Sequence, residues 1–98
     1  MRKHLLALAL ASVSTLALAA PFQNGSFETG PAPGSFSNLA AGDTQITGWT
    51  VTGTSIDYIG TYWTAADGSR SLDLSGIGAG GVEQAFDTIA GRTYRVRF

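Results

Sequence analysis

Apolar positions fall into two regimes along this chain. From Leu5 to Leu18 they run almost unbroken, mainly Leu and Ala, with Ser12, Ser14 and Thr15 diluting the run. After Ala20 they thin out and alternate with polar residues, the period-two pattern of half-buried strands. No stretch beyond Ala20 carries the spacing of an amphipathic helix. The alternation predicts strands over residues 22–27, 46–52, 55–59, 71–74, 82–86 and 93–98. Ile46, Trp49 and Val51 are expected to be buried, Trp49 as a core anchor, with Thr50 and Thr52 facing out. Ile56 and Tyr58 face one way, Asp57 and Ile59 the other; Leu72 and Leu74 share a face opposite Asp73. Tyr94, Val96 and Phe98 point inward while Arg95 and Arg97 point out.

Between these runs lies punctuation. Asn24-Gly25, Gly53, Asp67-Gly68, the glycine-rich stretch 76–81 and Ala90-Gly91 are turn signals. Residues 30–42, with Pro31, Pro33 and Gly34, read as a loop. Residues 60–70 form a second loop, unusual in carrying Tyr62 and Trp63. Many short strands joined by regular turns predict an all-β fold, a β-sandwich of the jelly-roll kind.

The first run is a targeting segment. Arg2, Lys3 and His4 precede it, and Ala17 and Ala19 frame an A-x-A cleavage site. It is too short and too diluted for a membrane span, which needs about 20 apolar residues. The expected organisation is a signal peptide over residues 1–19 and one exported domain from residue 20 to 98.

In that domain four arginines (Arg70, Arg92, Arg95, Arg97) meet seven carboxylates (Glu28, Asp43, Asp57, Asp67, Asp73, Glu83, Asp87), so four minus seven leaves a charge of −3. It holds no lysine and no basic stripe, which argues against nucleic acid as a partner. The chain has no cysteine, so no disulfide staples the fold outside the cell. Its last strand stops in mid-alternation at Phe98, and residues 20–98 fall short of the roughly 100 residues of a disulfide-free sandwich. The domain is therefore expected to be truncated at its C-terminus, and residues 20–98 alone are not expected to form a stable monomer.

Six segments then follow in order: Asn24-Gly25-Ser26-Phe27-Glu28, Ile46-Thr47-Gly48-Trp49-Thr50-Val51, Ser55-Ile56-Asp57-Tyr58-Ile59-Gly60, Ala66-Asp67-Gly68-Ser69-Arg70-Ser71-Leu72-Asp73-Leu74, Gly81-Val82-Glu83-Gln84-Ala85-Phe86 and Gly91-Arg92-Thr93-Tyr94. Together they resemble the choice-of-anchor C proteins of bacterial surfaces. These are similar to a plant cell-wall family of unknown function and to carbohydrate-binding modules with the galactose-binding-like fold. The resemblance implies a galactose-binding-like sandwich, an extracellular or cell-surface location, and a sorting anchor of the PEP-CTERM type beyond the segment at hand. It also implies a structural calcium with Glu28 among its ligands, since calcium takes six to eight oxygens from several loops. A solvated carboxylate at a strand end is the competing account of Glu28.

Candidate chemistry is sparse. The one histidine, His4, lies in the segment removed on export, so histidine-based catalytic triads are excluded from the domain. Stretch 76–81 lacks the Lys-Ser/Thr and the helix of a phosphate loop. Asp67-Gly68-Ser69 is a turn rather than a metal loop, and Asp73 needs no account beyond a solvent face. The expectation is a non-catalytic domain that binds polysaccharide, with Tyr62 and Trp63 as candidate sugar-binding residues beside Thr61, Thr64 and Asp67. Alternation along an extended loop puts one ring inward and one outward, and Trp63 is favoured as the inward one. The alternative is a structural surface or matrix protein that makes protein contacts only, the aromatic loop serving as a core plug.

Overall fold

The computed structural model describes residues 20–98. The expected signal peptide over residues 1–19 lies outside the described residues. The described chain is all-β: five strands, β1 (Phe36–Ala40), β2 (Thr50–Gly53), β3 (Ser55–Ile59), β4 (Ser71–Asp73) and β5 (Gly80–Glu83), and no helix. They form two antiparallel sheets, one in the order β1-β3-β4 and one pairing β2 with β5. No helix among the described residues is long and apolar enough to cross a membrane.

Both sheets contribute to one apolar cluster. Leu39, Ile56 and Tyr58 come from the three-stranded sheet, Val51 from the other, and Ile46 from the turn before β2. Phe27, Trp49, Leu72 and Val82 pack against them. An arrangement of this kind is compatible with the expected β-sandwich. Central β3 explains the cluster's position: its inward residues Ile56 and Tyr58 are flanked by Leu39 of β1 and Leu72 of β4.

The structure corrects several expectations. Residues 30–42 are not all loop: Phe36–Ala40 is β1, with Leu39 buried. Its small polar residues are what the sheet needs opposite β3, but they hide a strand in a turn-like composition. Residues 22–27 form no strand; Asn24 and Phe27 take left-handed backbone angles (φ 53 and 63), which ends any ladder there. The strand expected over 46–52 begins only at Thr50, because Ile46–Trp49 is a turn closed by the Trp49 N–H on the Ile46 carbonyl. Trp49 therefore joins the core from a loop and is half-buried rather than fully enclosed. β5 lies at Gly80–Glu83 rather than 82–86. Leu74 is exposed, since β4 ends at Asp73. Residues 93–98 pair with no described strand, and Tyr94, Val96 and Phe98 are exposed. Alternation defines two faces, but a strand exists only against a partner edge.

Candidate functional site

Among the described residues, two regions gather side chains with chemistry: a hydrogen-bonded hub built on Asn24 and Glu28, and a cleft on the outer face of the three-stranded sheet.

The hub explains why the sequence motifs occur together. The Asn24 amide donates to the carbonyls of Thr29 and Thr47, both at 2.8 Å, and its Oδ1 accepts the Thr29 N–H at 2.9 Å. The Asn24 carbonyl accepts the Trp49 indole N–H at 2.8 Å. Tyr58 is fully buried and donates its hydroxyl to the Phe27 carbonyl at 2.6 Å; burial pushes its phenol above the ordinary value, so it stays a donor at neutral pH. Glu28 then reaches the Asp67-Gly68 turn. Its carboxylate accepts the Ser69 N–H, the Ser69 hydroxyl and the Arg70 N–H at 2.8–3.1 Å. These bonds, led by the Ser69 backbone N–H and then its hydroxyl, hold the Glu28 carboxyl below the usual range. Gly68 has φ +67, which favours glycine, and a Cβ there would meet the Glu28 carboxylate at 2.6 Å and push it off its partners.

That geometry bears on calcium. The groups around Glu28 are N–H and O–H donors whose positive ends face the carboxylate, a polarity that suits an anion and not a cation. Among the described residues no group of three or more His, Cys, Asp or Glu is placed to hold a metal ion. Glu28 is thus engaged by hydrogen-bond donors in this structure, and the calcium implied by the sequence resemblance stays an expectation for melting experiments to test.

The cleft lies on the opposite face of β3 from the core. Alternation and register put Phe36 and Asn38 of β1, Asp57 and Ile59 of β3, and Ser71 and Asp73 of β4 on this one face. Two loops bound it. At one end, the loop after β4 packs on Ser55, whose hydroxyl accepts the Ile77 N–H at 2.8 Å. Gly80 passes so near the Ser55 carbonyl that no Cβ would fit between them. At the other end, Tyr62 and Trp63 fold back over the sheet. The Trp63 indole N–H donates to the Ser71 hydroxyl at 2.7 Å. Tyr62 meets Phe36 edge-on at 5.5 Å and Trp63 edge-on at 5.6 Å between ring centroids. Ile59 beneath them is only 2% exposed although it faces away from the core.

What remains open between the loops is a cleft of about 170 Å³ lined by Phe36, Asp57, Ile59, Tyr62, Trp63 and Asp73. Tyr62 and Trp63 are 62% and 42% exposed, so neither ring is turned into the core. The expected inward-outward split fails because residues 60–63 bend rather than extend, and the alternation rule applies only to extended chain. Asp57 and Asp73 are direct cross-strand partners, which places their Cβ atoms roughly 4.5–5.5 Å apart. Each has a neutral donor on Oδ1: Asn38 Nδ2 on Asp57 at 2.8 Å, and the Ser75 N–H on Asp73 at 2.9 Å. Sequence inspection singled out Tyr62 and Trp63 but missed Phe36, Asp57 and Asp73. The only signal for them was the polar face of two separate short strands, whose register no single strand reveals.

A second open cleft, about 380 Å³ and lined by Gly48, Thr50, Glu83, Gln84 and Ala85, has no aromatic wall. Next to it residues 20–23 run beside 84–87: Gln23 and Gln84 exchange two hydrogen bonds, as do Ala20 and Asp87, and Phe22 packs on Phe86 and Trp49.

The chain is 40% identical over 81 residues to halomucin of Haloquadratum walsbyi, a match that covers 78% of this chain. It spans about 1% of the length of that curated relative. No solved structure matches it. The family described as a protein of unknown function (DUF642) matches residues 20–98, and the chain belongs to that family.

Proposed function

We propose that this is an exported, non-catalytic surface or extracellular protein that binds polysaccharide in the cleft between β1, β3, β4 and the Tyr62–Trp63 loop. The observation that carries this reading is the conjunction in one cleft of three exposed aromatic rings with two carboxylates. Sugar rings offer apolar C–H faces to aromatic rings, and their hydroxyls need acceptors and donors; Asp57, Asp73 and Tyr62 supply these. The volume is below the roughly 300–1,000 Å³ of enclosed small-molecule pockets. An open cleft of this size suits one ring of a polymer whose neighbours continue over the surface.

The apolar segment at residues 5–18, with its basic start and A-x-A end, supports export. The likeness to a protein named halomucin supports an extracellular or surface setting. On the ordered motifs we read the chain as one of the choice-of-anchor C proteins, with a galactose-binding-like jelly roll.

One observation favours the structural alternative: Ile59 is buried on the face where it shares the cleft with Tyr62 and Trp63, and Tyr62 packs on Phe36 and Trp63, so the rings have a packing role even without a ligand. Tyr62→Ala separates the two. Tyr62 is the most exposed of the three rings, so its truncation should weaken polysaccharide pull-down while the melting temperature barely moves. If pull-down is unchanged and the fold is destabilised, the loop is a cover and the structural reading replaces this one. Release of new reducing ends that stops on Asp73→Asn would replace binding by hydrolysis.

A further inference from the structure

The cleft's charge says more about its ligand than its rings do. Asp57 and Asp73 stand directly opposite each other on adjacent strands, an arrangement of like charges that is unfavourable unless something positive lies between them. Their protein partners, the Asn38 amide and the Ser75 N–H, are neutral. The cation of the neighbouring turn, Arg70, is on the other side of the sheet, its guanidinium 5.6 Å from the centre of the Tyr58 ring. Tyr58 and Asp57 are consecutive on β3 and so point to opposite faces. The floor of the cleft is therefore a carboxylate pair with one oxygen of each free of the hydrogen bonds named above, edged by aromatic faces that also attract cations.

Resting on the sugar-binding reading above, we infer that the cleft takes an amino sugar: a polysaccharide residue whose ring lies against Tyr62 and Trp63 and whose free ammonium group sits between Asp57 and Asp73. An ammonium offers three donors and a positive charge to two carboxylates whose named partners among the described residues are neutral. The same floor repels uronic acids, whose carboxylates would add a third negative charge at close range. Selectivity follows from charge, and affinity from the rings.

The test uses the full chain and four soluble probes of equal length in calorimetric titrations at low and moderate salt: a fully deacetylated chito-oligosaccharide, its N-acetylated counterpart, an oligogalacturonate and a neutral gluco-oligosaccharide. The deacetylated probe should bind about tenfold more tightly than the acetylated one, as expected for two partly exposed ion pairs, and the galacturonate should not bind. The double variant Asp57→Asn, Asp73→Asn should erase that preference while keeping residual binding to the acetylated probe. Its melting temperature should not fall, because both changes keep shape and remove like charge. A preference that survives in the double variant would trace it to the net charge of the chain and overturn the inference. Equal affinities for the acetylated and deacetylated probes, or binding of the galacturonate, would overturn it too. In those cases Tyr62-dependent binding of any probe would leave the sugar-binding reading intact. Binding of none of the four would overturn both.

Discussion

Asn24→Asp changes one atom of a side chain and should disrupt the hub that joins three sequence motifs. In the structure Nδ2 of Asn24 donates to two carbonyls, those of Thr29 and Thr47, while Oδ1 accepts from the Thr29 N–H. Aspartate keeps the acceptor and tolerates the left-handed backbone at this position (φ 53). It loses both donated bonds and sets a negative oxygen against two carbonyl oxygens. Two lost hydrogen bonds at about 0.5–1.5 kcal/mol each give about 2 kcal/mol, before any repulsion is added. For a domain of this size that is a fall of about 8–16 °C in melting temperature. The effect should depend on pH in a defined direction. A carboxyl facing carbonyls prefers its neutral form, so its folded-state pKa is raised above the unfolded value of about 3.9. The deficit relative to wild type should therefore be smallest below that value, where the protonated acid again donates, and should open as pH rises through the folded pKa. Thermal melts of both proteins from pH 3 to 7 measure it. A variant as stable as wild type at pH 7, or a deficit that grows on acidification, would refute the hub.

Glu28 should behave in the opposite sense: its carboxyl is held low by Ser69 and Arg70, so its stabilisation is present above the ordinary carboxylate range and is lost as pH falls through the lowered folded value. Melts of wild type and Glu28→Gln should thus differ at neutral pH and converge in acid; parallel curves would remove the clamp. A structural calcium held by Glu28 should give different melting midpoints with calcium and with chelator, a difference that Glu28→Gln mostly erases; identical midpoints in the wild type would dispose of the site. Trp49→Ala should cost about 3–5 kcal/mol and prevent stable folding, since the indole packs on the core and on Phe27 and also satisfies the Asn24 carbonyl; a soluble, cooperatively melting variant would contradict that placement.

The parts of this molecule visible in its sequence are those set by local pattern. The alternation of Ile56, Asp57, Tyr58 and Ile59 fixed both faces of β3, and the turns at Asn24-Gly25, Asp67-Gly68 and Ala90-Gly91 follow from residues that favour tight turns. What escaped depends on partners far along the chain. β1 carries only Phe36 and Leu39 as large apolar residues, one on each face, so it lacks the repeated apolar spacing that marks a strand. Glu28 meets its partners 41 and 42 residues away, which no local rule foresees. Asp57 and Asp73 each look like an ordinary solvent-face residue; only the antiparallel register of β3 against β4 makes them a pair. Tyr62 and Trp63 were visible as unusual loop residues, but their direction was not, because a bend replaced the extended chain that alternation assumes.

The central claim, that sugar is held in this cleft, is tested most directly by an amide NMR titration of the full chain with a binding oligosaccharide chosen from a glycan array. The account predicts saturable shifts at Asp57, Tyr62, Trp63, Ser71 and Asp73, including the Trp63 indole N–H that donates to Ser71, with the Asn24 hub unmoved. Shifts centred instead on Thr50 and on residues 83–85, around the cleft without an aromatic wall, would contradict the site. An array with no binder at all would contradict the function.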